Sequence, residues 1–321
     1  MSTPRVVAVV GASGFIGAAV SQLLRAAGHE VVELIAPRLR NPAVSASNIL
    51  NEAERLDLSS LTEAITGCDA VVNAAGVSSS TSGDVQTLVG ANALLPAALE
   101  RATRAAGVRR FLHVSSASVQ GRQQRLDETA TNRPDSPYTT SKSLAEQALG
   151  MSGWTGTIIL RPTSVHGPGR AVTQTLLQVA RSRWACVARP GTQPTPQVHV
   201  KQVACAVEIL TDPSMEPPRI VLQPSEGFTT SSFLTMLAGG RSPARLPALP
   251  AQVVLAAAFA ASRVGPASLW AQARRAEMLL FGQEQVPGWL AEVDPTLTQR
   301  HPAWLELIRA ERDPAELAGR S

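Results

Sequence analysis

Within its first 28 residues the chain runs from the apolar stretch RVVAVV (5–10) through GASGFIG (11–17) into a segment whose apolar residues recur at helical spacing and stop at Gly28. EVVELI (30–35) is strand-like again. The alternation repeats with LTEAIT (61–66) before AVVNAA (70–75), then with ALLPAALERATRAAG (93–107) before RRFLHVSS (109–116). A last unit pairs a helix beginning near Tyr138 with TGTIILRP (156–162). Strands that alternate with helices at this spacing predict right-handed crossovers and a doubly wound parallel sheet over residues 1–162, an α/β fold.

After Arg161 the texture changes. RPGTQPTPQ (189–197), DPSMEPPR (212–219) and RSPARLPALP (241–250) are proline-rich, and the helical stretches between them do not alternate with strands. Residues 163–321 therefore read as a smaller C-terminal lobe that binds substrate, with a returning segment near 196–222 that includes QVHV (197–200) and RIVLQP (219–224). AQVVLAAAFAA (251–261) is far shorter than the roughly 20 apolar residues of a membrane span and reads as a packed helix. MSTPRVVAVVGASG lacks the pattern of a secretory signal, and Cys68, Cys186 and Cys205 have neither metal nor disulfide spacing, so a cytoplasmic setting is expected, with no metal. The formal charge of +4 comes almost wholly from arginine, and no basic run interleaved with aromatics argues for nucleic acid.

Gly11, Gly14 and Gly17 lie between the first strand and the first helix of the pattern. That position lets the backbone turn sharply, approach a pyrophosphate and meet its charge with a helix N-terminus, so a dinucleotide is expected there. The second strand ends ELIAPRLR, with Ile35 where an acid would hold a ribose diol and with Arg38 and Arg40 just beyond. Arginine suits a 2′-phosphate, which favours NADP(H) over NAD(H). The alternative is that Arg38 and Arg40 are merely two of the 27 arginines, placed on a surface loop.

The stretch SPYTTSK (136–142) holds the sole tyrosine of the chain, Tyr138, and one of its two lysines, Lys142. Four residues apart on a helix, they share a face, and an ammonium there would lower the phenol's pKa toward a range useful for proton transfer. FLHVSSASV leaves Ser115 and Ser116 at the C-terminal end of the preceding strand, where ligands of open α/β sheets bind. Serine, tyrosine and lysine beside a nicotinamide are the parts of hydride transfer between carbonyl and alcohol.

On these residues, and on DL (57–58), NAAG (73–76), Asn92, RPTSVHGPG (161–169) and HVKQVA (199–204), the sequence resembles the extended short-chain dehydrogenases/reductases, a family of epimerases, dehydratases and ketoreductases. The resemblance implies a Rossmann-type sheet and Ser116, Tyr138 and Lys142 as the catalytic triad. It further implies a cofactor held by Gly11, Ser13, Gly14, Phe15, Ile16 and Gly17, with Asp57 and Leu58 at the adenine. Ala74, Ala75 and Gly76 would line it with Asn92 and Ser115, and the backbone near Pro162 and Val165 would meet the nicotinamide end. A homodimer through helices near 93–107 and 138–149 is the family expectation.

Two departures bear on the substrate. Where many members read V-Y-G, this chain has Val119-Gln120-Gly121 and Val165-His166-Gly167, so Gln120 and His166, with Ser78, become candidate substrate contacts. Thr195 stands where nucleotide-sugar enzymes often carry an arginine. The expected activity is NADP(H)-dependent reduction of a carbonyl, on a keto group of a (deoxy)sugar nucleotide or on a small-molecule ketone. The alternatives are an NAD-dependent epimerase or dehydratase using transient oxidation, and a non-catalytic NADP-binding scaffold or redox sensor.

Overall fold

A computed structural model describes residues 3–77, 84–262 and 267–310. The apolar runs form a six-stranded, wholly parallel sheet: β1 (Val6–Val10), β2 (Glu30–Leu34), β3 (Ala70–Asn73), β4 (Arg110–Val114), β5 (Thr157–Arg161) and β6 (Ile220–Leu222), in the spatial order β6-β5-β4-β3-β1-β2. In register, Val7 lies beside Val31 and Ala70, and Val71 beside Phe111. The strand order reverses at β1, which pairs with both β2 and β3, and a crevice opens there at the C-terminal ends of the strands.

Side chains alternate along each strand, and both faces are covered. Val7, Val9, Val72, Leu112 and Leu160 enter one core with Val20 and Leu24 of α1 (Phe15–Ala26). Ala8, Val10, Val71, Phe111 and Ile159 enter the other. There Leu95, Leu99 and Ala102 come from α3 (Leu95–Ala105), and Leu149 comes from α4 (Pro137–Ser152). The returning segment supplies α6 (Val200–Leu210), whose Val203, Ala206, Val207 and Leu210 join the first core beside α1, and then the edge strand β6. QVHV does not join this sheet. Its residues Gln197–His199 pair with Ser164–His166 as a separate two-stranded piece.

A third layer lies outside the second core. In α2 (Ala46–Arg55), Ala46, Ile49 and Ala53 pack on Ala93, Leu94 and Ala97 and on Leu144, Ala145 and Ala148, the outward faces of the α3 and α4 region. Ser45 caps the helix through Asn48 N–H at 3.3 Å, and the Arg101 guanidinium donates to the carbonyls of Ala53 and Leu56 at 2.9 and 3.0 Å. Part of the outward surface of α3 and α4 is thus covered by a helix of the same chain.

In the second lobe α5 (Ala171–Arg181), Thr230–Leu237 and Ala303–Ala310 pack around Phe228, Phe233 and Trp304. The stretch 251–261 is helical within Ala248–Ser262, yet it is less packed than expected: Leu249, Val253 and Val254 are exposed. Its neighbour α7 (Ala267–Phe281) meets it through Trp270, whose ring lies 6.1 Å from that of Phe259. Among the described residues no helix is long and apolar enough to cross a membrane, and no cluster of three or more acidic, histidine or cysteine side chains forms a metal site.

Candidate active site

β1 turns into α1 through Gly11, whose φ of +84° suits glycine. A Cβ on Gly11 would sit 2.8 Å from the backbone of Ala75, and one on Gly17 would collide with the Gly11 carbonyl. The glycines thus let β1, α1 and the segment after β3 close on one another. Gly14, the N-cap of α1, makes no side-chain cap bond, and the first turn carries no acid, so the helix start is free to face an anion. Ser13 is exposed at this start, and Phe15 and Ile16 are half-buried against the first core.

At the end of β2, Ile35 is almost fully exposed and carries no polar group for a ribose. Arg40 pairs with Asp84 at 2.8 Å, which leaves Arg38 as the exposed guanidinium with no hydrogen bond or ion pair among the described residues. Asp57, also exposed, accepts from the Ser59 backbone at 3.0 Å and its hydroxyl at 2.7 Å, bonds that hold its carboxyl below the usual range. Leu58 packs on the second core beside it.

Past β3, Ala74 donates to the Val10 carbonyl at 3.0 Å and Ala75 to the Asn73 side chain at 3.1 Å, which brings the chain over the crevice. Gly76 is exposed, and a Cβ there would lie 2.9 Å from Asn92 Oδ1 and 3.3 Å from Lys142 Nζ, so the space in front of these two groups exists because residue 76 is glycine. Asn92 is fully buried in a single wide π-helical turn, Gly90–Leu94, a local irregularity frequent at functional sites. Its amide bonds both backbone groups of Val77 at 2.9 Å and the Ser141 hydroxyl at 3.0 Å. Ser78 lies outside the described residues.

Ser136 caps α4 with Thr139 in a reciprocal capping box, and Pro137 occupies the first turn, so Tyr138 is fixed at the start of the helix. Ser116 is the neighbour whose hydroxyl most favours the phenol's ionised form. Ser116 itself lies 2.7 Å from the Ser118 hydroxyl and caps the short turn after β4. Lys142, buried one turn along α4, donates to the Val114 carbonyl at 3.0 Å. Burial lowers its pKa to about 8, against the raising charge of Glu146. The expectation that Lys142 depresses the Tyr138 pKa needs correction: burial pushes the phenol up, the opposing influences are the Ser116 hydroxyl and the charge of Arg170, and the Lys142 ammonium donates to Val114.

Other expected residues face elsewhere. Ser115 donates to Glu146 at 2.6 Å, and Glu146 pairs with the fully buried Arg161 at 2.6 Å, so this serine's hydroxyl is part of a buried ion-pair network. Gln120 is fully buried, its amide exchanging two bonds with Asp127 at 2.7 and 3.0 Å. His166 is buried too, with Gln197 at 2.8 Å, Ser164 at 2.9 Å and Thr173 at 3.2 Å around its ring nitrogens. Neither has a polar atom left for a substrate. Pro162 accepts from Ala117 at 2.8 Å, and Val165 contributes its side chain to the first core.

Two groups were not singled out from the sequence. Glu146 lies four residues beyond Lys142 on the same helix face, a spacing that could have revealed it. Arg170, at the start of α5, bonds the Val165 carbonyl and stacks over the Phe15 ring at 4.9 Å. Among 27 arginines, no spacing signal marks it.

In sequence, no curated protein matches the chain. Among solved structures, human epimerase family protein SDR39U1 (isoform 2) with NADPH aligns at a TM-score of 0.61 and 21% identity, covering 95% of this chain and 99% of that one. The dTDP-4-dehydrorhamnose reductase of Bacillus anthracis in complex with NADP aligns at 0.57 and 14% identity, over 78% and 86% of the two chains. The UDP-glucuronic acid 4-epimerase of Bacillus cereus in complex with NAD gives 0.54 and 20% identity, over 75% and 87%. These likenesses show the fold. The model of the NAD dependent epimerase/dehydratase family matches residues 7–221, two thirds of the sequence, and the chain belongs to that family.

Proposed function

We propose that this protein is an NADP(H)-dependent oxidoreductase that reduces a substrate carbonyl, either a keto group of a (deoxy)sugar nucleotide or a small-molecule ketone. The observation that carries the reading is the placement of Tyr138 at the capped start of α4, with Lys142 buried one helical turn away, the opening left by Gly76 in front of it, and Ser116 just past the C-terminal end of β4. The cradle fits a nicotinamide dinucleotide: the glycine turn and α1 start would take the pyrophosphate, Asp57 and Leu58 the adenine, and Ala74 to Gly76 with Asn92 and Lys142 the nicotinamide ribose. Uncommitted Arg38 beside exposed Ile35 supports a 2′-phosphate. The NADPH and NADP in two of the fold relatives are in keeping with that choice.

When bound, the nicotinamide supplies the hydride. The chain's residues handle the oxygen. Ser116 hydrogen-bonds and orients the carbonyl, and Tyr138 delivers the proton to the oxygen as its charge grows. The raised pKa of the phenol keeps it protonated at neutral pH, ready to donate. Lys142, which titrates near 8, is positioned to replace its bond to Val114 with one to the ribose and to stabilise the tyrosinate that remains.

An epimerase or dehydratase that returns its own hydride would use the same three residues with a retained NAD. The test is to purify the protein without added cofactor, denature it and identify the nucleotide released, then screen ketones for NADPH oxidation. An empty site or exchangeable NADP(H), followed by turnover, supports the reductase. Stoichiometric NAD defeats it.

A further inference from the structure

His113, inside the sheet on β4, has none of its surface exposed, and the chemistry of the crevice does not use it. Its ring shares a face with Phe111, two residues earlier, which packs in the second core. An apolar side chain would fill that place. Instead the imidazole stands beside Asn73, its register neighbour on β3 and equally buried, with Nδ1 at 3.2 Å from the Asn73 amide nitrogen. The other ring nitrogen, Nε2, has no hydrogen-bond partner among the described residues. A buried polar atom left unpaired is destabilising, so packing alone does not account for a histidine here.

The direction of each bond is fixed. Asn73 Oδ1 accepts from the Ala75 N–H at 3.1 Å, which leaves the Asn73 amide NH2 to donate to Nδ1. The ring is neutral, because burial holds its pKa well below the 6.5 of a free histidine and the charge of Lys142 acts in the same sense. Ala75 crosses close over the phosphate turn: a Cβ on Gly11 would lie 2.8 Å from its backbone. The next residue, Gly76, fronts Asn92 Oδ1 and Lys142 Nζ, and beyond it Asn92 holds both backbone groups of Val77 at 2.9 Å. The crossing segment is therefore held at two ends, by Asn73 and by Asn92. A carboxamide can turn end for end, and an acceptor at residue 113 favours the orientation that offers Oδ1 to Ala75. We infer that His113 is a positioning residue for the cofactor: it locks Asn73, and through it fixes Ala75 and Gly76 where a dinucleotide passes over them. The inference rests on the cofactor placement proposed above and is independent of which carbonyl is reduced.

The test is a fluorescence titration of NADPH and NADH into the wild type, His113→Leu, His113→Asn and Asn73→Ala, with unfolding midpoints measured alongside and exchange of the Ala75 amide followed by NMR. His113→Leu fills the space but loses the acceptor, whereas His113→Asn keeps an acceptor oxygen at the δ position. His113→Leu is expected to lose about tenfold in affinity and to exchange the Ala75 amide faster. His113→Asn is expected to recover most of both. Asn73→Ala should match His113→Leu, and the double variant should be no worse than either. Wild-type affinity in a folded His113→Leu overturns the inference. So does a loss that His113→Asn shares in full, since a packing role gains nothing from an oxygen. If His113→Leu does not fold, Asn73→Ala carries the same expectation from the other end of the bond, and wild-type affinity there overturns the inference equally. A wild type that binds neither nucleotide removes the cofactor placement and the inference with it. A wild type that binds, shows the dependence on residue 113 and reduces no ketone keeps the inference and loses the reductase.

Discussion

Two clusters of buried ionisable groups invite comparison. At the C-terminal ends of the sheet, Lys142 is buried but Tyr138 and Ser116 remain half-open, and glycine at 76 keeps the space before Lys142 clear. In the second lobe His166, His199 and Trp304 are nearly inaccessible. Glu226 accepts there from the His301 backbone and the Trp304 indole at 2.6 and 2.7 Å. His199 stacks on His301 with ring centroids 5.5 Å apart. Burial lowers the pKa in both places, to about 8 for Lys142, about 3 for His166 and about 4 for His199. A shifted pKa therefore does not mark a site by itself. What separates the clusters is whether the groups border open space or are closed off from it by the protein.

The sharpest test of this contrast is Tyr138→Phe, expected to lower turnover by about 10²–10⁴-fold while NADP(H) binding by fluorescence titration is unchanged. Loss of binding and turnover together would make the tyrosine a packing group. Next is Glu146→Ala, which leaves the Arg161 guanidinium buried without its partner and is expected to cost about 3–5 kcal/mol in urea unfolding.

His166→Leu strips partners from Gln197, Ser164 and Thr173, with an expected loss of about 1–3 kcal/mol and no change in KM. The pH dependence has a defined sign. His166 and His199 have folded pKa values below the 6.5 of a free histidine, so the unfolded chain binds more protons below that pH. Stability should fall as pH drops from about 6.5 toward 4, and less steeply in His166→Leu. A higher KM with unaltered stability would erase the distinction between the two clusters. The smallest effect is spectroscopic. With only Lys142 and Lys201 in the chain, NMR of isotopically labelled lysine should show one ammonium titrating near 8, and Glu146→Gln should move that midpoint lower by removing the nearby negative charge.

The sheet was legible because strands covered on both faces are continuous apolar runs, and because the glycine loop must sit where a strand meets a helix. So was the start of α4 near Tyr138, where Ser136 and Thr139 form the capping box. The second lobe resisted, since Ser164–His166, Cys186–Ala188, Gln197–His199 and Ala244–Leu246 have three residues each, too few for alternation to register. Gln120 and His166 misled for another reason. Each replaces a tyrosine in a familiar motif, but the motif fixes the backbone, whereas the direction a side chain takes follows from its partners. The stretch ASNILNEAER is polar enough to pass as a surface loop, and only the fold reveals Ile49 and Ala53 as a seam of α2.

That seam has a thermodynamic consequence. A helical layer contributed by a neighbouring subunit would be lost on dilution, and the unfolding midpoint would then depend on protein concentration. Here the layer over α3 and α4 is tethered to the same polypeptide, at an effective concentration set by the short links before and after α2. Its contribution to holding Lys142 and Asn92 in register therefore persists however dilute the protein becomes.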